Sequence, residues 1–346
     1  MSTPAWWQRR LRPSVAMLIV AAWILLPTAW IWFSVSQPLV LPRPAAEPRT
    51  RADAMRLQED VRVLSTRFDG RSALNMPVLE GAATYVESRL AALGLPVESQ
   101  RFTVHGRSYR NLIVRLGPDT PQVLVVGAHY DVFGPNPGAD DNASGVAGLI
   151  ELARLLQRQP LDRRVELVAY ANEEPPYFRT PHMGSAVHAA AVRAAGKQVP
   201  LMLSLECIGY FSDAPGSQQL PARLMAAAYP TTGHFIALVG FYRDGPAARA
   251  VKAAMMGATD LPVHSINAPG FVVGIDFSDH LNYAQEGFVG MMVTDTAFLR
   301  NTAYHTRGDT WDRLDYARMA KVVDAVAAAV TAAAGEPRRD DHPSSK

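Results

Sequence analysis

The chain has 346 residues, with 34 basic against 32 acidic side chains and a formal net charge of +2. That balance speaks against a nucleic-acid-binding module, which concentrates basic residues, and the single cysteine, Cys207, rules out an intrachain disulfide framework and a cysteine-based zinc finger. Five of the six tryptophans fall within the first 32 residues, so the average composition blends two kinds of segment.

Residues 13–42 carry no charge, and 15–35 are apolar apart from Pro27, Thr28 and Ser34. A bilayer core takes about 20 apolar residues in a helix, so 15–36 is expected to be a transmembrane anchor. Arg9, Arg10 and Arg12 precede it, and basic flanks stay on the cytoplasmic side. Residues 1–14 are therefore expected to be a short cytoplasmic N-terminus. The rest then lies on the extracytoplasmic side, periplasmic or extracellular, in a single-pass topology. Trp6 and Trp7 suit one interface, Trp30 and Trp32 the other. A cleaved signal peptide ending near Ser34-Val35-Ser36 is the alternative, but its apolar region runs only about 7–15 residues. Pro38, Pro42, Pro44 and Pro48 make 37–50 an extended spacer. The polar stretch 336–346 reads as a disordered tail, leaving 51–335 as one folded domain.

Within that domain, 52–68 and 78–93 have helical spacing, and 97–104 and 109–116 alternate as strands do. Residues 122–128 form a continuous apolar run, the mark of a strand buried on both faces. A helix is expected over 145–156, a strand over 165–171, a helix over 184–195, strands over 201–205, 235–240 and 288–294, and an Ala-rich helix over 311–334. Alternating strands and helices predict an α/β fold: a three-layer sandwich with a mostly parallel, mixed central sheet.

Ligands of such sheets bind at the carboxyl ends of the strands, and the polar residues gather there. His129 and Asp131 follow one strand, Glu173 and Glu174 the next, and Glu206 a third. With Asp141 and His305 they give a candidate metal-ligand set of His129, Asp141, Glu174, Glu206 and His305. Two imidazoles and three carboxylates suit Zn²⁺, and Mn²⁺ or Co²⁺ less well. Five ligands exceed the three typical of one catalytic zinc, and two ions sharing a carboxylate would use them all. Asp131 is spaced to accept the second ring N–H of His129. In the pair Glu173-Glu174, one carboxylate can ligate while the other serves as general base.

His129-Tyr130-Asp131, the 138–145 loop Gly-Ala-Asp-Asp-Asn-Ala-Ser-Gly, Asn172-Glu173-Glu174, Ser278-Asp279-His280 and His305-Thr306-Arg307-Gly308-Asp309-Thr310 resemble, in order, the motifs of the M28 family of co-catalytic zinc aminopeptidases and carboxypeptidases. The resemblance spans roughly 52–334. It implies that His129 and Glu206 hold one zinc, Glu174 and His305 the other, and Asp141 bridges them. It further implies a cis peptide after Asp141, and Glu173 as general base on a zinc-bridging water. The implied reaction is peptide hydrolysis, most simply release of N-terminal residues from a peptide substrate. Two departures stand out. Glu206 occupies a position where many members have Asp. Ile275 stands where some aminopeptidases carry an oxyanion-stabilising tyrosine, and Tyr304 is expected to take that role.

Two other readings of the same scaffold remain. A glutaminyl cyclase-like acyltransferase needs one zinc and three ligands, and the Asp140-Asp141-Asn142 loop fits it less well. A non-catalytic ectodomain on this scaffold would have lost ligands, and here the set is complete. His280 and Asp279 are expected to support the site from nearby, and Cys207 to be a small buried residue.

Overall fold

This computed structural model describes residues 13–37, 39–43 and 51–335. The expectations for most of the N-terminal stretch, much of the spacer and the tail therefore lie outside the described residues.

A single mixed sheet of eight strands organises the domain: β1 (Val97–Val104), β2 (Arg107–Leu116), β3 (Gln122–His129), β4 (Arg164–Tyr170), β5 (Gln198–Glu206), β6 (Ile236–Phe241), β7 (Val263–Ala268) and β8 (Gly290–Thr294). Their spatial order is β1-β2-β4-β3-β5-β8-β6-β7. The central strands β4, β3, β5 and β8 run parallel, β1 and β2 join antiparallel on one side, and β6 runs antiparallel to β8. β7 pairs with β6 in parallel and forms the far edge. Every residue of β3 except Gln122 is buried, which is why its sequence is apolar without alternation.

Helices cover both faces. On one lie α2 (Ala54–Thr66), α3 (Met76–Ala91), α4 (Gly145–Leu156), α6 (Gly245–Ala258) and α8 (Tyr316–Ala334), sharing one apolar core with the sheet. On the other lie α5 (Gly184–Ala194) and α7 (His280–Gln285), whose Ala189, Val192 and Tyr283 meet Val125, Val168 and Met202. α4 is buried almost throughout because it touches the sheet as well as α2, α3 and α8. Each fully buried Leu there, such as Leu149 and Leu152, contributes roughly 1.5–3 kcal/mol.

The Ala-rich C-terminal helix starts later than its composition suggests. Asp315 caps it by accepting the Arg318 N–H, so α8 begins at Tyr316, and Trp311–Arg313 form a separate 3-10 turn. The strand at β7 and the helices α6 and α7 add to the elements expected from pattern. α1 (Pro13–Ser36) is the one described helix apolar and long enough to cross a bilayer, through Met17–Ser36.

The loop between β3 and α4 is held by Arg71, which is wholly buried. Its guanidinium donates to the carbonyls of Tyr130 (2.8 Å), Leu64 (3.1 Å), Pro137 (2.6 Å) and Gly138 (2.7 Å). Burial lowers its pKa to about 10, so it stays charged at neutral pH. Arg71→Met should leave those buried carbonyls unpaired and lower stability by about 3–5 kcal/mol, the usual range for breaking a buried charged contact. Denaturant unfolding of the full chain measures this; a loss near zero would mean the loop is held by other contacts.

Candidate metal centre

Three parallel strands end at one edge of the sheet and deliver the predicted residues there. His129 closes β3, Glu206 closes β5, and Glu173 and Glu174 follow β4. Asp141 comes from the loop before α4, and His305 from the loop after β8. The approach of these loops needs glycine. Gly138 has φ +57°, and a Cβ there would lie 2.3 Å from the Asp141 carbonyl. At Gly145 a Cβ would lie 2.5 Å from the Leu205 carbonyl. The Asp141–Asn142 peptide is cis. Asn172, Cys207 and His305 adopt left-handed backbone at φ 63°, 50° and 57°, each at or next to a site residue.

Asp141 stands at the centre. Its Oδ1 lies 3.3 Å from His129 Nε2 and its Oδ2 lies 3.0 Å from His305 Nε2. Glu206 Oε2 is 3.3 Å from His129 Nε2, and Glu174 Oε1 is 3.2 Å from His305 Nε2. The five residues thus fall into two groups, His129-Asp141-Glu206 and Asp141-Glu174-His305, each compact enough to hold one ion. Glu174 Oε1 and His305 Nε2 are buried with no hydrogen-bond partner, atoms that a cation would satisfy. One imidazole nitrogen and two carboxylates per group match the donors zinc takes, so these residues fit the metal.

The electrostatics follow from burial. Desolvation opposes the charge on Asp141, but the adjacent imidazoles of His129 and His305 outweigh this and hold its carboxyl well below the usual range. Desolvation pushes Glu174 up to about 8. It drives Glu173 well above the carboxylate range, with Glu174 and Glu206 adding to the push against the pull of His129. Glu173 Oε2 sits 3.9 Å from His129 Nε2, the nitrogen that Asp141 and Glu206 also approach. Burial among Asp141, Glu174 and Glu206 keeps the Tyr304 phenol protonated, so it can only donate to an anion. Its ring stacks on His305 at 3.9 Å, while Phe133 stacks on the same imidazole at 4.3 Å, which fixes the ring plane.

A second layer holds these groups in place. The Asp131 carboxylate accepts the backbone N–H groups of Glu173 (3.0 Å) and Glu174 (3.1 Å). It also lies 3.6 Å from His129 Nδ1, whose nearer partner is the Asp131 carbonyl at 3.2 Å. Asp309 does for Asp140 and Asp141 what Asp131 does for the glutamates, accepting both their backbone N–H groups. Ser278 Oγ donates to Glu206 Oε2 at 2.8 Å and pairs with Ser204 Oγ at 2.7 Å. Asn142 bridges the Leu205 carbonyl and the Cys207 N–H. His280 is buried beside Ile275, its Nε2 2.7 Å from that carbonyl, and burial lowers its pKa to about 4. Asp279 is wholly buried and desolvation pushes it up to about 7. Cys207 is buried, its thiol pushed up by burial. Of the supporting residues, Asp309 and Ser278 lie in motifs visible in the sequence. Asn142 lies in the 138–145 motif as well, whereas the role of Arg71 carries no local signal, because most of its partners are distant backbone carbonyls.

Beside Glu206 and Tyr304 opens an apolar pocket walled by Phe235, Val239, Ile266, Ile275, Met292 and Phe298. Ile275 therefore forms pocket wall.

Three comparisons bear on this geometry. YfbL of Escherichia coli K12, an uncharacterized protein, is 48% identical over 298 residues, covering 84% of this chain and 91% of that one. The zinc aminopeptidase BSAP of Bacillus subtilis shares the fold at a TM-score of 0.62 and 14% identity, over 84% of this chain and 97% of that one. A glutaminyl cyclase of Fimbriiglobus ruber shares it equally, at 0.62 and 20% identity over 84% and 99%. The fold alone therefore does not separate the two chemistries. The sequence profile of peptidase family M28 matches residues 111–330, most of the domain and every residue of the two ligand groups, and the chain belongs to that family.

Proposed function

We propose that this protein is a di-zinc aminopeptidase, tethered to a membrane by α1 with its catalytic domain on the extracytoplasmic side. One observation carries the di-zinc reading: the two oxygens of Asp141 face two different histidines, each completed by its own glutamate. When bound, the zinc ions supply Lewis-acid polarisation of the scissile carbonyl and lower the pKa of water. His129 and Glu206 would hold one, Glu174 and His305 the other, with Asp141 between them.

The chain's own residues then do the following. Glu173, held by Asp131 through its backbone N–H and ionised when cations occupy the neighbouring ligand groups, accepts the proton of the attacking water at a carboxylate oxygen and returns it to the leaving amine. Tyr304 donates its phenolic O–H to the developing oxyanion. The apolar pocket beside Glu206 takes the side chain of the residue released.

The described residues that line the apolar pocket beside Glu206 and Tyr304 include no lysine or arginine to pair with a free carboxylate, which favours release from a free amino terminus.

The cyclase reading differs in stoichiometry. Metal analysis of the full chain should find two zinc ions per chain and chelator-sensitive hydrolysis of aminoacyl substrates; one ion per chain would favour the cyclase.

Glu173→Ala should keep both ions and lower kcat by at least about 10²–10⁴-fold, the range for a lost general base. Turnover at the parent rate would remove Glu173 from that role.

Tyr304→Phe should lower kcat by about 10²–10³-fold with little change in KM, as for a lost oxyanion donor. An unchanged kcat would place the oxyanion elsewhere.

A further inference from the structure

The end of α1 is seated on the domain. Ser36 and Gln37 are buried. Ser265 Oγ donates to the Ser36 carbonyl at 3.2 Å, and Lys252 Nζ to the Gln37 carbonyl at 2.9 Å. Gln37 Nε2 donates to Asn267 Oδ1 at 2.8 Å and to the Gly245 carbonyl at 3.3 Å. Farther on, the Arg43 N–H donates to the Ala253 carbonyl at 2.8 Å. The point where the apolar helix ends is thus fixed against the edge strand β7 and against α6.

Directly after β7 the chain runs Pro269-Gly270-Phe271-Val272-Val273-Gly274. Phe271 is 86% exposed and Val273 is 68% exposed. Holding a Phe ring in water forgoes the free energy of burying it. Phe271 lies four positions beyond Asn267, so the Cα atoms of the two residues lie within about 14 Å of each other, and Asn267 is bonded to Gln37. The turn from β6 into α6 leaves the sheet at the same edge, since Phe241 pairs with Ala268. That turn carries Tyr242, 51% exposed, and Arg243, just before the Gly245 that Gln37 also contacts. Exposed aromatics beside the end of an apolar helix have the chemistry of a membrane–water interface.

We propose that the 269–274 loop is a second membrane contact: Phe271 and Val273 insert into a phospholipid bilayer beside the end of α1, with Tyr242 at the headgroups. The proposal rests on the reading of α1 as a membrane span. A single flexible tether would leave the domain free to tumble. Two contacts flanking β7 hold it in one orientation. Val272 and Val273 also line the apolar pocket, so one wall of that pocket is held at the bilayer surface.

The test uses the full chain in phosphatidylcholine–phosphatidylglycerol vesicles. Cys207 is the single cysteine and is buried, so introduced cysteines take a nitroxide label selectively. Labels at Phe271→Cys and Val273→Cys should collide more with oxygen and less with an aqueous nickel chelate than a label at Arg101→Cys, exposed on β1 at the opposite edge of the sheet from β7. Trp23→Cys reads α1 itself. A lipid-buried label at Trp23 with water-exposed labels at Phe271 and Val273 overturns the second contact and leaves the anchor standing. A water-exposed label at Trp23 overturns both. Phe271→Asp should shift the Val273 label toward water while hydrolysis of a small soluble aminoacyl substrate stays unchanged.

Discussion

Six carboxylates, those of Asp131, Asp141, Glu173, Glu174, Glu206 and Asp279, are buried at one edge of the sheet, and two imidazoles answer them directly. Taking an ion out of water costs several kcal/mol even after relaxation. The site distributes that cost unevenly. Asp141, between two histidines, is stabilised as an anion, while Glu173, Glu174 and Asp279 are pushed toward their neutral forms by burial. Such a cluster is far from its best arrangement on its own. Protons or divalent cations must fill it, and the two compact ligand groups give the cations defined places. Metal binding would then displace protons and become part of what keeps this edge folded.

The cost is contained by backbone donors. Asp131 and Asp309 spend their carboxylates on main-chain N–H groups, and so fix the loops that carry Glu173, Glu174 and Asp141. Arg71 works from the opposite sign, gathering four carbonyls beneath the same loop. Ser278 reaches Glu206 from the segment that walls the apolar pocket. A glutamate in place of the shorter aspartate has one more torsion to fix, and Ser278 supplies that restraint. Side-chain position at the site is therefore set by hydrogen bonds from four separate segments of the chain.

How much of this was legible in the sequence depended on where each signal lay. A parallel sheet puts strand ends on one edge, so His129, Glu173, Glu174 and Glu206 could be gathered from the strand pattern alone. Asp141 and His305 needed the order of motifs, because their loops meet only in three dimensions. α6 is rich in alanine and glycine, which give little contrast between its faces, and β7 is six residues long with a histidine and an asparagine in it. Neither offers a strong period. Arg71 looks like any other arginine in sequence, since its partners are carbonyls as many as 67 residues away. The late start of α8 was decided by Asp315, a cap whose effect outweighs the helical composition of the residues before it.

The segment from Pro269 to Asp279 joins the seat of α1, the apolar pocket and the ligand cluster. It begins at β7, where the end of α1 is seated, passes through the exposed Phe271 and Val273, forms a wall of the apolar pocket at Val272 and Ile275, and reaches Glu206 through Ser278. An edge strand such as β7 offers unpaired backbone groups and is a place where chains associate wrongly. Here Ser36 and Gln37 cover part of it, and the Tyr229 hydroxyl donates to the Ser265 carbonyl. The same cover that protects the edge would, under the proposed anchoring, set the distance between membrane and pocket. Under that anchoring a peptide approaching along the bilayer would meet the apolar wall before the carboxylates, and the surface that holds the domain in place would also order the steps by which a substrate enters it.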